Sequence, residues 1–192
     1  SFEGGVSSKS SALNITNGRY CTVSDSHSYN TTGYGLSFQP GTENCVMSSS
    51  TGTWNAQSFT LAGTSGSCHN NILGLLASNN SDAAVTVLTS INNVIIGVSA
   101  HADTQPDIFG NGHAYGVHLS TGADENLALG ILASGTTMDY PVRFRSNRSV
   151  ASVADYSDAL KTVTFNAGAQ ENYVEILHLG TKGTSVVPFI AD

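Results

Sequence analysis

The clearest strand-turn-strand pattern in the chain is Asn92-Asn-Val-Ile-Ile-Gly97, followed after a loop by Tyr115-Gly-Val-His-Leu119. The first segment holds the apolar burst Val94-Ile-Ile96, the second alternates as Val117-His-Leu119, and Gly, Asn or Ser stands beside each burst. Such bursts are typical of short β-strands joined by tight turns. The pattern predicts strands at both places.

Related short apolar segments occur both before and after this pair in the sequence, and they fall into two alternating sets. Their spacing is 23 to 26 residues, except for one turn of about 33. Strands this short cannot each bury a face alone, but stacked coils form parallel sheets around one interior. The repeat predicts an all-β parallel β-helix of about five coils. The first set begins at Arg19, Glu43, Gly66, Asn92 and Glu125, and the second at Gly35, Gln57, Ala83, Tyr115 and Tyr140.

The three cysteines, Cys21, Cys45 and Cys68, are spaced by 24 and 23 residues. That spacing suits neither a disulfide framework nor close-set zinc ligands. It predicts one column of small buried thiols in three successive coils. Asparagines recur beside these positions, which predicts side-chain hydrogen bonds from the turn of one coil to the next.

The period is lost from about residue 145, after the polar break Arg145-Ser-Asn-Arg148. The later segments are longer and alternate more cleanly, which favours antiparallel structure. We predict a β-helix over residues 1–144 and a small antiparallel β unit over residues 145–192. Its strands are expected at Val150–Val153, Leu160–Phe165, Tyr173–Leu179 and Ser185–Ile190.

Composition and charge exclude several partners. The 192 residues are 40% hydrophobic and only 11% charged, with 20 Gly, which favours an all-β chain over a disordered or helical one. The net charge is −7, and residues 1–142 hold two basic groups against nine acidic ones. Nucleic acid is therefore not expected as a partner. No run of 18 apolar residues occurs, so membrane insertion is not expected either.

Over roughly residues 15–144 the coils resemble the pectate-lyase-like right-handed parallel β-helix superfamily, which includes pectin-degrading enzymes, epimerases and bacteriophage tailspikes. A β-helix followed by a small all-β unit resembles a tailspike most. The resemblance implies a right-handed coil, a homotrimer locked by residues 145–192, and a surface-polysaccharide site on the helix. The segment Gly183–Asp192 also resembles the stretch ahead of an endosialidase-type chaperone.

The expected function is that of a tailspike receptor-binding fragment in the virion tail, made in the bacterial cytoplasm and acting outside the cell. It would recognise, and in its complete form degrade, a bacterial surface polysaccharide. Two alternatives stay open: a free-standing polysaccharide hydrolase or lyase, and a structural trimerisation stem without a ligand. A lyase is disfavoured because residues 20–142 contain no Lys or Arg. The chain starts at Ser1, so a fragment or processed product is expected. No metal or cofactor is expected.

The longest insertion, residues 100–114, concentrates His101, Asp103, Asp107 and His113. Loops that leave a rigid scaffold commonly carry binding and catalytic groups. Two carboxylates about 5 to 9.5 Å apart can act as acid and base on a glycosidic bond. The alternative is a solvated loop, or a contact with a neighbouring subunit.

Four further residues complete the candidate site. Asp124 and Glu125 are expected to join the insertion as catalytic carboxylates, although adjacent strand residues point to opposite faces, so at most one would face a shared groove. Trp54 and Tyr34 are candidates for stacking on sugar rings, with His101 and His113 as further substrate-binding groups. The alternative for Trp54 is a cap on the end of the core. His69 and His118 are interpreted as structural residues.

Overall fold

A computed structural model describes residues 2–3, 11–53, 55–62, 68–79, 83–102, 114–157, 159 and 162–178. The described residues form strands and turns without a helix. The strands are β1 (Phe2–Glu3), β2 (Leu13–Ile15), β3 (Thr22–Ser24), β4 (His27–Tyr29), β5 (Tyr34–Phe38), β6 (Val46–Ser48), β7 (Thr51–Thr53), β8 (Gln57–Ala62), β9 (Ile72–Asn79), β10 (Ala83–Leu88), β11 (Val94–His101), β12 (Ala114–Leu119), β13 (Leu127–Gly135), β14 (Met138–Phe144), β15 (Val150–Ser157), β16 (Val163–Phe165) and β17 (Tyr173–His178).

These strands stack as a parallel β-solenoid of about six turns. Sheet A contains ten strands, and sheet B contains seven in the order β16-β14-β12-β10-β8-β5-β2. Every strand pair is parallel, and strands one turn apart along the chain lie side by side. The predicted all-β parallel fold is confirmed, with about six turns instead of five. The right-handed sense stays a prediction.

Sheet A bends once in each turn. Strand β9 pairs with the separate strands β6 and β7, and Leu75 stands between those two pairings with a φ of 54°. Gly97 and Gly130 occupy the same place in the next two turns, with φ of 67° and 64°. A positive φ costs least for glycine. We name the part of sheet A before this bend face a, the part after it face b, and sheet B face c.

The interior is filled by in-register columns of apolar side chains. On face c, the side chains at every second position point inward, so each column runs through consecutive turns. All the residues of the two central columns from β5 to β14 are buried. The columns are Leu36-Phe59-Val85-Val117-Val142 and Phe38-Leu61-Val87-Leu119-Phe144.

The corner between faces c and a carries a ladder of asparagine side chains, which we call the asparagine ladder: Asn71, Asn93 and Asn126. The backbone N–H of Asn71 donates to Asn93 Oδ1 at 3.0 Å, and that of Asn93 donates to Asn126 Oδ1 at 3.0 Å. The Nδ2 of Asn93 also donates to the carbonyls of Cys68 and Ile91, at 3.1 and 3.0 Å. The predicted hydrogen bonding from turn to turn is confirmed.

The prediction that all three cysteines share one column is wrong for Cys68. Cys21 and Cys45 do share a column, and the Cys21 N–H donates to Cys45 Sγ at 3.1 Å. The next place in that column is taken by Asn71, whose Oδ1 accepts from the Cys45 N–H at 2.9 Å. Cys68 is displaced by three residues and aligns with Ser90, whose Oγ accepts from its N–H. Spacing alone misaligned Cys68 because the turns differ in length.

The antiparallel unit predicted for residues 145–192 is not confirmed. Strand β15 pairs with β13, β16 with β14 and β17 with β15, all in parallel. The solenoid therefore continues through residue 178, because longer strands with clean alternation also suit a coil whose outer face meets solvent. The segment predicted at 185–190 lies outside the described residues.

We expect Asn93→Asp to lower the free energy of unfolding by about 3 kcal/mol or more, because a buried carboxylate replaces the amide that donates to two carbonyls. The matched control is Asn92→Asp. Asn92 is exposed with a φ of 56°, a conformation that Asp also tolerates, so its loss should stay within about 0.5 kcal/mol. Urea unfolding followed by circular dichroism measures both, and equal losses would contradict the ladder's role.

Candidate functional site

Face b carries a cleft of about 250 Å³ on its outer surface. The cleft spans three turns, because its lining comes from β7, β9 and β11. Most of its lining residues carry a hydroxyl, amide or imidazole group, but carbon atoms make up most of the accessible lining. The lining residues are Thr51, Gly52, Thr53, Ala77, Ser78, Asn79, Ser99 and His101.

The cleft belongs to a longer column that runs along the solenoid. Thr53, Asn79, His101 and Ser134 stand in register in four successive turns. The Nδ1 of His101 lies 2.9 Å from Ser134 Oγ, which fixes the imidazole. Tyr29 precedes this column and Tyr156 follows it, with Tyr156 58% exposed. At about 4.8 Å per turn, the column is roughly 24 Å long.

Two residues of the cleft lining stand close in the sequence to predicted site residues. Trp54 directly follows Thr53, and Asp103 stands two residues after His101, with Asp107 and His113 further along. Trp54, Asp103, Asp107 and His113 lie outside the described residues. Thr53 and His101 are thus the described residues of the cleft that stand nearest to these candidates in the sequence.

Tyr34 lies elsewhere. It opens β5 on face c, in register with Gln57 of the next turn. Face b and face c meet at the corner that contains Thr31, whose N–H donates to Asn55 Oδ1 at 3.0 Å. Tyr34 therefore stands past this corner, away from the cleft.

Asp124 and Glu125 lie at the corner between faces c and a, just before β13. Asp124 Oδ1 accepts from the backbone N–H of Asn147 at 2.8 Å. The carboxylate of Glu125 accepts from Arg148 Nε and Nη2 at 3.0 and 2.8 Å. His101 pairs with Ser134, which stands ten residues after Asp124 and beyond the bend at Gly130. The described residues do not bring Asp124 to the cleft, and its catalytic role stays a prediction.

The sequence analysis missed Thr51, Asn79 and Ser99. Face b has few large apolar side chains at its outer positions, so the periodicity of apolar bursts does not mark it as a separate set of strands. The sequence did contain a signal, because Thr53 and Asn79 stand at matching places in successive coils. That correspondence is recognisable only once the register between neighbouring strands is known.

Among the described residues, no group of three or more His, Cys, Asp or Glu side chains is arranged to hold a metal ion. Burial raises the pKa of the Cys45 and Cys68 thiols, which keeps both protonated at neutral pH. No helix within the described ranges is long and apolar enough to cross a membrane.

His118 is on the outer side of face c, and within the described part of the chain its buried Nε2 has no hydrogen-bond partner. Burial, followed by repulsion from Arg143 and Arg145, lowers the pKa of His118 to about 4. The imidazole is therefore neutral near pH 7, as expected of a structural residue.

Comparison with protein-family models, curated proteins and solved structures found no match to this chain. The repeat and the geometry of the faces are therefore the basis for any functional interpretation.

We expect the stability of the protein to fall as the pH is lowered from about 6.5 to about 4. Unfolded His118 binds a proton near pH 6.5, whereas folded His118 does so only near 4, so protons favour the unfolded chain between these values. The loss amounts to about 3 kcal/mol. Urea unfolding of the wild type and His118→Gln at pH 7, 5.5 and 4 should give a steeper loss for the wild type. Parallel pH dependences would contradict the assignment.

Proposed function

We propose that this chain is a receptor-binding fragment of a bacteriophage tailspike, and that it recognises a bacterial surface polysaccharide along face b. The observation that carries the proposal is the cleft of about 250 Å³, whose lining residues Thr53 and His101 stand next to Trp54 and two residues before Asp103 in the sequence. That adjacency supports a role for the stacking candidate and the carboxylate candidates at the same surface.

The chemistry of the cleft supports a sugar ligand. Thr53 and Ser99 offer hydroxyl groups that can both donate and accept hydrogen bonds, as sugar hydroxyls require, and the Asn79 amide adds N–H donors. His101 adds an imidazole held by Ser134. Such groups on rigid strands need little ordering when a ligand binds, which favours affinity.

The shape of the column supports a chain-like ligand. Its members repeat in register along the solenoid axis from Tyr29 to Tyr156, so an extended glycan lying parallel to the axis would meet a new side chain at each turn. The tyrosines at its two ends are suited to stack on sugar rings. Degradation of the polysaccharide by the complete protein, through Asp103 and Asp107, is part of the same proposal.

The test is a glycan and whole-cell binding screen with the wild type, Ser99→Leu and His101→Ala. Leucine at position 99 places an apolar side chain in the cleft, and we expect binding to weaken about tenfold or more, with a similar loss for His101→Ala. The matched control is Ser24→Leu, since Ser24 is an exposed strand serine on face a. Its binding should equal that of the wild type.

Reducing-end detection in the same screen separates binding from cleavage. Release of reducing ends that is lost in Asp103→Ala or Asp107→Ala would support degradation. Binding to no envelope glycan, or equal loss in Ser99→Leu and Ser24→Leu, would overturn the proposed function and leave the structural stem.

The proposal includes a homotrimer, and face a supplies its support. Ile72, Leu75 and Ile96 are 44%, 70% and 45% exposed on adjacent turns. Val46, Val94 and Leu127 are half-buried and stand in register with Ile72. A continuous apolar patch on a protein surface commonly marks an interface. Copies of the chain packed around a common axis would cover it.

We expect the wild type to sediment at three times the mass of the chain, and the double variant Ile72→Glu, Ile96→Glu to sediment as a monomer, because charge on face a prevents its burial. The control adds the same charge to face b through Ala77→Glu and Ser99→Glu, both at exposed positions. Sedimentation velocity at micromolar concentration measures all three. A monomeric wild type would refute the trimer.

A further inference from the structure

Two thiols stand side by side in neighbouring turns at the corner between faces c and a. Strands β3 and β6 pair in parallel with Thr22 opposite Val46, so the residues just before them, Cys21 and Cys45, are aligned as well. Neighbouring strands of a sheet lie about 4.8 Å apart. A disulfide joins Cα atoms that are about 4.4 to 6.8 Å apart, so the two cysteines are close enough to be linked.

The two cysteines are already in contact. The backbone N–H of Cys21 donates to Cys45 Sγ at 3.1 Å, and the two thiols lie within hydrogen-bond reach of each other. Two residues earlier, Arg19 and Glu43 form a bridge between the same turns, with an ion pair at 3.6 Å. Cys45 belongs to the core, and Cys21 packs against it. Both side chains therefore point to the inside of the corner, and the sulfur atoms start from contact.

The side-chain link between turns is weaker here than along the asparagine ladder. There, the amide of Asn71 donates to the Thr42 carbonyl of the preceding turn at 3.1 Å. The Cys45 thiol instead donates to the Glu43 carbonyl of its own turn, at 3.3 Å. The bond from the Cys21 N–H ends on sulfur, which is a weak acceptor. A covalent bond between the two cysteines would supply the link that asparagine supplies in later turns.

The two thiols differ in their access to solution. Cys21 is half-buried, whereas Cys45 is fully buried. A dissolved oxidant therefore meets Cys21 first, and Cys45 stands in place as the resolving thiol. Cys68 is also buried, but it is aligned with Ser90 in a different column. The geometry therefore selects one pair among the three cysteines, although their spacing gives no framework of several disulfides.

We propose that Cys21 and Cys45 are a disulfide site, whose bond ties two N-terminal turns together when the protein meets an oxidising solution. The co-reactant is a small-molecule disulfide such as oxidised glutathione. The Cys21 thiolate attacks one sulfur of this disulfide, which forms a mixed disulfide and releases one thiolate. The Cys45 thiolate then attacks Cys21 Sγ and releases the second. The protein loses two electrons and two protons, and the co-reactant is reduced to two thiols.

The test is incubation of the native full chain with oxidised glutathione, followed by alkylation in urea and peptide mapping by mass spectrometry without reductant. We expect the number of free thiols to fall from three to one, with the peptides of Cys21 and Cys45 joined and Cys68 alkylated. The matched control Cys68→Ser should form the same bond and keep no free thiol. Cys21→Ser and Cys45→Ser should form no disulfide within the chain.

A second measurement, on the wild type alone, reports on the tie between the turns. The oxidised protein should unfold at a higher urea concentration than the reduced one, because the bond restricts the unfolded chain, and dithiothreitol should reverse the shift. Three thiols that all stay free, a bond that involves Cys68, a bond between two chains, or an unchanged urea midpoint in the bonded protein would overturn the proposal. None of these results bears on the face b screen, because the proposal stands apart from the ligand of that face.

Discussion

The whole structure depends on a backbone constraint at the corner between faces c and a. There the chain reverses through a residue with positive φ in every described turn, between 51° and 59°. Such a reversal leaves buried carbonyls and N–H groups without partners inside their own turn. The asparagine ladder supplies such partners from the neighbouring turn in the middle coils, and Cys45, Ser149 and Asn172 accept in the same way in other coils, so neighbouring coils depend on each other. The corner residues are Tyr20, Asn44, Asn70, Asn92, Glu125, Arg148 and Glu171.

The register set at this corner organises the faces. Hydrogen bonds along this corner align Cys45, Asn71, Asn93 and Asn126 in successive turns. The inward columns of face c are then aligned as well, so that apolar side chains of one turn stack on apolar side chains of the next. The outer positions are then free to differ. Face a is apolar at Ile72 and Ile96, whereas face b carries hydroxyl, amide and imidazole groups around its cleft, with Leu132 exposed in register with Ser99. One scaffold therefore presents surfaces of different chemistry without change to its core.

This separation of core and surface is the physical basis of the site proposed on face b. On face b, Thr53, Asn79 and His101 form one polar column. On face c, Tyr115, Arg143 and Asn166 come from three different turns and fix one guanidinium. In both, strands 4.8 Å apart bring together side chains more than 20 residues apart in the chain.

The sequence by itself determined the parallel solenoid and its asparagine hydrogen bonds, because both follow from a local period that repeats wherever a short apolar burst must be buried. It could not place Cys68, the strands of residues 145–178, or the separation of Asp124 from His101. Those depend on the register between turns of unequal length, and a shift of a few residues changes which side chains meet. Only the tertiary structure decided that Thr53, Asn79 and His101 share one face.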